Sequence, residues 1–130
     1  AAAGAKQPKN LPGLNLVPNL KTGAEIGRSH ILGESFAHDI ADIKKPEASL
    51  LFRWMIEGKW KLLLTYDGEV NRYKTTHPRT EKRPQLFDLL ADPWEKKNLA
   101  SENPDVVARL AGRIADWYPV SERRVDATWE

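Results

Sequence analysis

Apolar and polar positions alternate most clearly in the middle of the chain. Residues 49–56 are rich in strand-forming side chains, and residues 60–66 follow them after a short turn that contains Gly58. In the second segment, large side chains recur every two residues, which places them on one face of a strand. The pattern predicts a β-hairpin whose core face consists of Trp60, Leu62, Leu64 and Tyr66.

Two further segments have the character of strands. Residues 30–38 are short and mixed, and residues 85–89 follow a long polar loop that runs from Asp67 to Pro84. A lone hairpin is only marginally stable in water, so the hairpin needs such partners. We therefore expect a small antiparallel sheet of three to four strands.

The apolar period becomes helical towards the end of the sequence. Asn103-Pro104-Asp105 is typical of a helix start, because Asn caps, Pro suits the first turn and an acidic residue favours the positive end of the helix dipole. Residues 105–117 then carry one apolar stripe. Strands followed by a helix indicate an α+β fold, with the C-terminal helix packed on one face of the sheet. The residues expected to be buried together are Val106, Leu110, Ile114 and Trp117 with Trp60, Leu62 and Leu64.

A tight turn is predicted between the last strand and this helix. Asp92 is placed to cap a helical turn, Pro93 to occupy its first position and Glu95 to bond back to the cap amide. Asn98 is placed to end the turn in the left-handed region. These roles are structural, and we do not interpret Asp92 and Glu95 as catalytic acids.

The composition of the 130-residue chain excludes several kinds of chemical site. It contains no cysteine, which excludes disulfides, thiolate zinc sites and a cysteine nucleophile within this sequence. Its net charge of +2 does not demand an anionic partner. No segment has the roughly 20 apolar residues of a membrane helix, and no signal peptide is visible, so we expect no membrane partner.

Residues 85–100 (Gln-Leu-Phe-Asp-Leu-Leu-Ala-Asp-Pro-Trp-Glu-Lys-Lys-Asn-Leu-Ala) resemble the C-terminal signature of arylsulfatase-type sulfatases, in the alkaline phosphatase superfamily. The family pattern is Leu-Tyr/Phe-Asp-Leu, two residues, Asp-Pro, one residue, Glu, two residues and Asn-Leu-Ala. The family also places a Trp-Lys-Leu strand before it, as at residues 60–62, and an apolar helix after it, as at residues 106–117. Residues 11–18 resemble the loop that precedes the C-terminal subdomain, and Gly33-Glu34 resembles its first strand.

The resemblance implies a division of the chain and an activity for its parent protein. Residues 1–29 would be the linker from a missing catalytic domain, residues 30–118 the sulfatase C-terminal subdomain and residues 119–130 a tail. The parent would hydrolyse sulfate esters in the periplasm or outside the cell. This chain would pack on the catalytic domain of the same parent chain and line its substrate cleft, where a sulfated small molecule or glycan binds.

The resemblance also implies that the catalytic groups lie upstream. Sulfatases use a formylglycine made within Cys/Ser-x-Pro-x-Arg, together with a calcium ion. The nearest approach here is at residues 49–53, which lack the proline, and no adjacent Asp-Asp pair is present. We expect calcium and formylglycine in the missing domain, no catalytic or metal-binding residue in this chain, and no activity from the chain alone.

Candidate substrate contacts lie in two places. His38 and Asp39 follow the first predicted strand, and the loop of residues 71–83 holds five basic residues against Glu81, a formal charge of +4. Arginine and lysine suit sulfate or carboxylate groups. The loop candidates are Arg72, Lys74, His77 and Arg79. The alternatives are surface histidines and a solvated loop.

The tryptophans are further candidates for a binding surface. Five tryptophans could form a sugar-stacking surface, and Trp94 is the one expected to be most exposed.

Two other functions fit the sequence: a free-standing module that binds anionic glycans, and a fragment of a related phosphate or phosphonate ester hydrolase. Nucleic acid is not an expected partner, because a single basic loop without a recognised motif makes a weak footprint.

Overall fold

The computed structural model describes residues 4–6, 13–37, 42–66 and 83–120. Within these ranges the order is α1 (Val17–Thr22), β1 (His30–Phe36), a 3₁₀ turn (Pro46–Ser49), β2 (Leu50–Glu57), β3 (Trp60–Thr65), β4 (Gln85–Asp88) and α2 (Pro104–Trp117). The four strands form one antiparallel sheet in the order β1-β2-β3-β4. The predicted α+β class, with a C-terminal helix on one face of a small antiparallel sheet, is confirmed.

The hairpin between β2 and β3 explains the register of the sheet. Glu57 pairs with Trp60, so the turn consists of Gly58 and Lys59 alone. Gly58 has φ +56°, which glycine adopts without a Cβ penalty. The tight turn fixes which side chains share a face, because a slip of one residue would exchange the two faces.

Helix α2 covers the face of the sheet that carries Met55, Leu62 and Leu86, and these three side chains are fully buried. We call this side the helix face. The predicted burial of Leu110 and Ile114 against the hairpin is confirmed. The core cluster comprises Leu50, Met55, Leu62, Leu64, Tyr66, Leu86, Ala100, Val107, Leu110 and Ile114.

Three members of the expected core were placed too deeply. Val106 and Trp60 are only partly buried at the edge of the cluster, and Val107 is the buried valine of α2. Trp117 is 44% exposed, so its predicted burial is wrong. The helix ends at Trp117, and the residue that follows it, Tyr118, is half-buried.

The N-terminal segment contains a helix that the sequence pattern did not predict. Residues 13–29 are rich in Gly and Asn and contain Pro18, a composition that disfavours regular structure, yet α1 spans Val17–Thr22. Pro18 lies in the first helical turn, where its missing N–H costs nothing. Gly23 ends the helix at φ +70°, and its N–H donates to the Asn19 carbonyl at 2.8 Å. Helix α1 buries no residue.

Candidate functional site

All six predicted substrate-contact residues lie outside the described residues: His38, Asp39, Arg72, Lys74, His77 and Arg79. The described strands nevertheless show where the two segments attach. Phe36 pairs with Leu50, while Thr65 pairs with Phe52. The end of β1 and the end of β3 therefore lie at one end of the sheet, opposite the Gly58-Lys59 turn. We call it the loop end, and the turn end is the other.

The face opposite α2 is also strongly apolar. Antiparallel register places the side chains at alternate positions of all four strands on this side, which we call the distal face. Phe52, Trp54 and Ile56 follow one another along β2, and each is only partly buried. The large apolar side chains of the distal face that keep solvent exposure are Ile31, Phe52, Trp54, Ile56 and Leu63.

One glycine shapes the distal face. Gly33 lies directly across from Trp54 in the β1–β2 pairing. A Cβ atom on Gly33 would lie 2.3 Å from Cζ2 of the Trp54 indole. The ring thus lies flat over the backbone of β1, in space that any other residue would fill.

The turn after β4 is held by different bonds from those the sequence suggested. The Glu95 carboxylate does not return to an Asp92 cap; both of its oxygens accept from Lys61 Nζ, at 2.7 and 2.8 Å. Asp92 accepts from the Lys97 N–H at 2.8 Å, five residues later. Glu95 itself has φ +54° and is the residue of this turn in the left-handed region, so the prediction that Asn98 adopts it is wrong. The long-range pull of Lys61 outweighs the local capping preference.

Asn98 has a different structural role. Its Oδ1 accepts from the Leu86 and Ala100 N–H groups, each at 3.0 Å, and its Nδ2 donates to the Pro84 carbonyl at 3.1 Å. The side chain therefore substitutes for a neighbouring strand at the free edge of β4, where backbone groups would otherwise lack partners. Asn103 likewise makes no capping bond through its side chain; its Nδ2 donates to the Leu99 carbonyl at 2.9 Å.

The same turn carries two conspicuous apolar side chains. Leu90 is 82% exposed and Trp94 is 79% exposed. The backbone beneath them is fixed, because Asp88 Oδ1 accepts from the Leu90 and Ala91 N–H groups at 3.1 Å each. The expectation that Trp94 is exposed is confirmed.

Sequence reasoning missed a buried arginine. Arg53 is 5% exposed and lies on the helix face, in the middle of β2, with apolar residues before and after it. Its guanidinium donates to the Tyr66 hydroxyl and to the carbonyls of Ile114, at 3.3 Å, and Tyr118. The Ile114 carbonyl also accepts from the Tyr118 N–H at 3.0 Å, so Arg53 adds a second bond there. Carbonyls at the end of a helix carry negative partial charge, and Arg53 thereby joins the end of α2 to the sheet. A charged residue flanked by apolar residues within the predicted strand was the available signal.

Two titratable side chains, Tyr118 and Asp88, have shifted pKa values. Burial raises the pKa of the Tyr118 phenol, and the carboxylates of Glu47 and Glu34 raise it further while Arg53 opposes them. The Asp88 carboxyl has a lowered pKa, chiefly because Lys59 Nζ donates to it at 2.6 Å. Both arrangements fit structural roles at the borders of the helix face.

Within residues 4–6, 13–37, 42–66 and 83–120, no three His, Asp or Glu side chains are grouped closely enough to hold a metal ion. In the same ranges, no helix has the length and apolar character needed to cross a membrane.

Comparison with curated proteins gives a direct relative. Over 58 residues, the chain is 38% identical to an N-acetylgalactosamine-6-O-sulfatase of Bacteroides thetaiotaomicron. The resemblance to sulfatases is confirmed. The match covers 44% of this chain and 11% of the relative, so the chain spans about a tenth of that protein's length. No family model matches the chain.

Solved structures show the same fold. Two of them come from work on the metabolism of multiple glycosaminoglycans by Bacteroides thetaiotaomicron, and both are designated "-sulf" proteins. The first has a TM-score of 0.56 and 24% identity over 86% of this chain and 21% of its own. The second has a TM-score of 0.53 and 22% identity over 94% of this chain and 24% of its own. At these identities the likeness establishes the fold, and the matched unit accounts for less than a quarter of each protein.

Proposed function

We propose that this chain is the C-terminal portion of a sulfatase and docks on the catalytic domain of the same parent chain through its distal face. The observation that carries the proposal is the partly exposed apolar row of Phe52, Trp54 and Ile56 on the side opposite α2. Antiparallel sheets that face water usually carry polar side chains on the side away from the core, whereas the distal side of β2 is apolar. A large exposed apolar patch marks an interaction site.

The size of the sulfatase relatives supports this partner. This chain covers 11% of the curated sulfatase and 21% and 24% of the two solved chains. Most of each relative therefore lies outside the matched unit and is available to cover an apolar sheet face. The distal face fits such a permanent intramolecular interface, because apolar cores characterise permanent contacts.

We place the substrate cleft beside the loop end. Ala37 and Tyr66 lead from this end into the segments that carry His38, Asp39 and the basic candidates. In this proposal these residues contact remote parts of a sulfated glycan, since the curated relative acts on a sulfated N-acetylgalactosamine. Changing Arg72, Lys74 and Arg79 together to Gln should lower kcat/KM for a polymeric substrate more than for a small sulfated sugar.

The chemical step belongs to the catalytic domain in this proposal. Formylglycine and calcium, which supply the nucleophile and polarise the sulfate, would be held by residues outside the present sequence. The described residues position the domain and shape the rim. Export to the periplasm or beyond is part of the same proposal and follows from the sulfatase resemblance.

Activity can be tested directly on the parent protein. It should release sulfate from N-acetylgalactosamine 6-sulfate and should leave the matched 6-phosphate almost unchanged, and the 130-residue chain alone should release neither. Faster release of phosphate than sulfate would favour the phosphate-ester hydrolase alternative. A chain that is stable alone and has no catalytic domain upstream would favour the free-standing module.

Docking can be tested with a matched pair of substitutions. Ile56→Asp lies on the distal face, whereas Ile43→Asp lies on the surface, where Ile43 is 84% exposed. Ile56→Asp should lower the Tm of the parent by several degrees and expose a protease-sensitive site between the domains, because it buries a charge at the interface. Ile43→Asp should leave both unchanged. An equal loss of Tm in the isolated chain would show that Ile56 acts within this unit and not in docking.

A further inference from the structure

We propose that Trp94 is an aromatic contact for a sugar ring of a sulfated glycan, on a surface separate from the proposed cleft. This inference rests on the proposed function for its ligand class. The surface consists of the turn after β4, with Trp94 at its tip and Lys96 and Lys97 beside it. We call it the tryptophan turn.

Trp94 differs from the other described tryptophans in its exposure. Trp54 and Trp60 are partly buried, and Trp117 is 44% exposed on the side of α2. Trp94 is 79% exposed, so both its ring and its polar edge are open to solvent. A free indole presents a large apolar surface with a polar N–H, which suits ligands that are partly apolar and partly hydrated.

The backbone of the tryptophan turn is fixed before any ligand arrives. Asp88 accepts from two successive N–H groups, Asp92 accepts from Lys97, and Glu95 is joined to Lys61 from the neighbouring strand. Tryptophan itself has only two rotatable side-chain bonds. A rigid aromatic on a rigid turn loses little entropy on binding, which is the usual condition for a weak ligand such as a sugar to be held.

The neighbouring charges favour an anionic sugar. One face of a pyranose ring presents C–H groups that pack on an indole, and Lys96 and Lys97 are exposed within three residues of Trp94. Lys97 is paired with Glu102 at 3.0 Å, but both side chains are more than half exposed, so solvent weakens the pair. The two ammonium groups can therefore contact a sulfate or carboxylate while the ring stacks.

The position of the turn separates it from both the docking face and the proposed cleft. Lys61 lies on the distal face directly across from Ile56, and its ion pair with Glu95 puts two charged side chains between the apolar row and Trp94. Trp94 follows β4 at the turn end of the sheet, and a six-residue strand places the loop end about 20 Å away. A contact at this distance engages a long glycan chain and not the sulfate that is hydrolysed.

Binding of a polymer to the parent protein tests the inference. Affinity electrophoresis through gels that contain chondroitin sulfate gives a dissociation constant, and neutral dextran is the reference polymer. Trp94→Ala should weaken binding roughly three- to tenfold, and Trp94→Phe should retain most of it, because a ring remains. Trp117→Ala, which removes a partly exposed indole from α2, should leave the constant unchanged.

The outcomes separate this inference from the proposed function. Binding by Trp94→Ala within twofold of the unchanged protein would overturn the inference, even if sulfate is still released from N-acetylgalactosamine 6-sulfate. A fall in both Tm and release from the small sugar would overturn it too, because Trp94 would then belong to the domain interface. Failure of the unchanged parent to release sulfate, with chondroitin sulfate binding still dependent on Trp94, would overturn the proposed function alone.

Discussion

The two faces of the four-stranded sheet are both apolar, but they are completed differently. On the helix face, Met55 and Leu62 are fully buried beneath α2, and Leu110 and Ile114 complete the cluster. On the distal face, Trp54 and its neighbours along β2 remain partly exposed. The same strands therefore contribute to one core that this chain finishes by itself and to a second apolar surface that it leaves unfinished.

The two faces should contribute unequally to the stability of this unit. Burial of the helix face accounts for the folding of the unit, since burying a large aliphatic side chain contributes about 1.5–3 kcal/mol. The distal face contributes less, because its large side chains are only partly buried. Changes on the two sides should consequently differ in what they affect: folding of the unit on one side, and docking on the other.

The largest expected effect comes from opening the helix face. Leu110→Ala removes a fully buried side chain from α2 and should lower the free energy of unfolding by about 2–5 kcal/mol through lost contacts and a residual cavity. Leu90→Ala, the same change at an 82% exposed position, should lie within about 0.5 kcal/mol of the unchanged protein. Denaturant midpoints measure both, and equal losses would contradict the assignment of the core.

A second substitution tests the polar connection that closes the helix face. Arg53→Met removes the guanidinium that binds the Tyr66 hydroxyl and the last carbonyls of α2, and should cost about 1–3 kcal/mol. Arg109→Met removes an exposed arginine that pairs with Glu57, and should cost about 1 kcal/mol or less. Urea titration gives both values. If Arg53→Met is neutral or stabilising, the buried charge serves specificity and not stability.

A smaller and more local effect is expected on the distal face. Gly33→Ala places a Cβ where the Trp54 ring lies, so the indole must move, at a cost of about 1 kcal/mol or somewhat more. Gly27→Ala meets no atom within 4 Å and is the control. Near-ultraviolet circular dichroism and tryptophan fluorescence should change for Gly33→Ala alone. An unchanged spectrum would mean that Trp54 does not rest on β1.

The smallest effect is expected in how steeply the free energy of unfolding falls at acid pH. The lowered pKa of Asp88 means that the folded state favours its carboxylate, so its contribution is present above the unfolded pKa of about 3.9 and is lost as the pH falls through the lower folded pKa. Asp88→Asn should flatten the loss of stability below about pH 4. Lys59→Met, which removes the partner of Asp88 at 2.6 Å, should flatten the same loss of stability. Identical slopes for all three proteins would show that the Lys59–Asp88 pair does not contribute to the pH dependence of stability.

Much of the fold could be predicted from local pattern. The alternation at residues 60–66, the Gly58 turn and the helical stripe at residues 105–117 each depend on neighbours within a few positions, and each corresponds to an element of the structure. The candidate site was less accessible. The exposure of Trp94 was foreseen, but the six substrate-contact candidates fall outside the described residues and stay predictions.

Long-range contacts explain the errors. A capping box requires the Glu95 carboxylate to stay near its own turn, but Lys61, which is distant in sequence, holds it. Asn98 suits a helix end by type, yet it bonds to the edge of β4 instead. Local propensity is worth about 1 kcal/mol at such positions, so one charged or doubly bonded partner from another element is enough to override it.

The sequence by itself determined the α+β order, the hairpin around Gly58, the apolar stripe of α2 and the sulfatase-like segment at residues 85–100, because periodicity and turn chemistry are properties of neighbouring residues. Only the tertiary structure decided which sheet face α2 covers, that Arg53 lies buried against the end of α2, and that Phe52, Trp54 and Ile56 share an unfinished apolar side. Both faces of the sheet carry large apolar side chains. The choice between them depends on where a helix some 50 residues later can pack, which is a property of the whole chain.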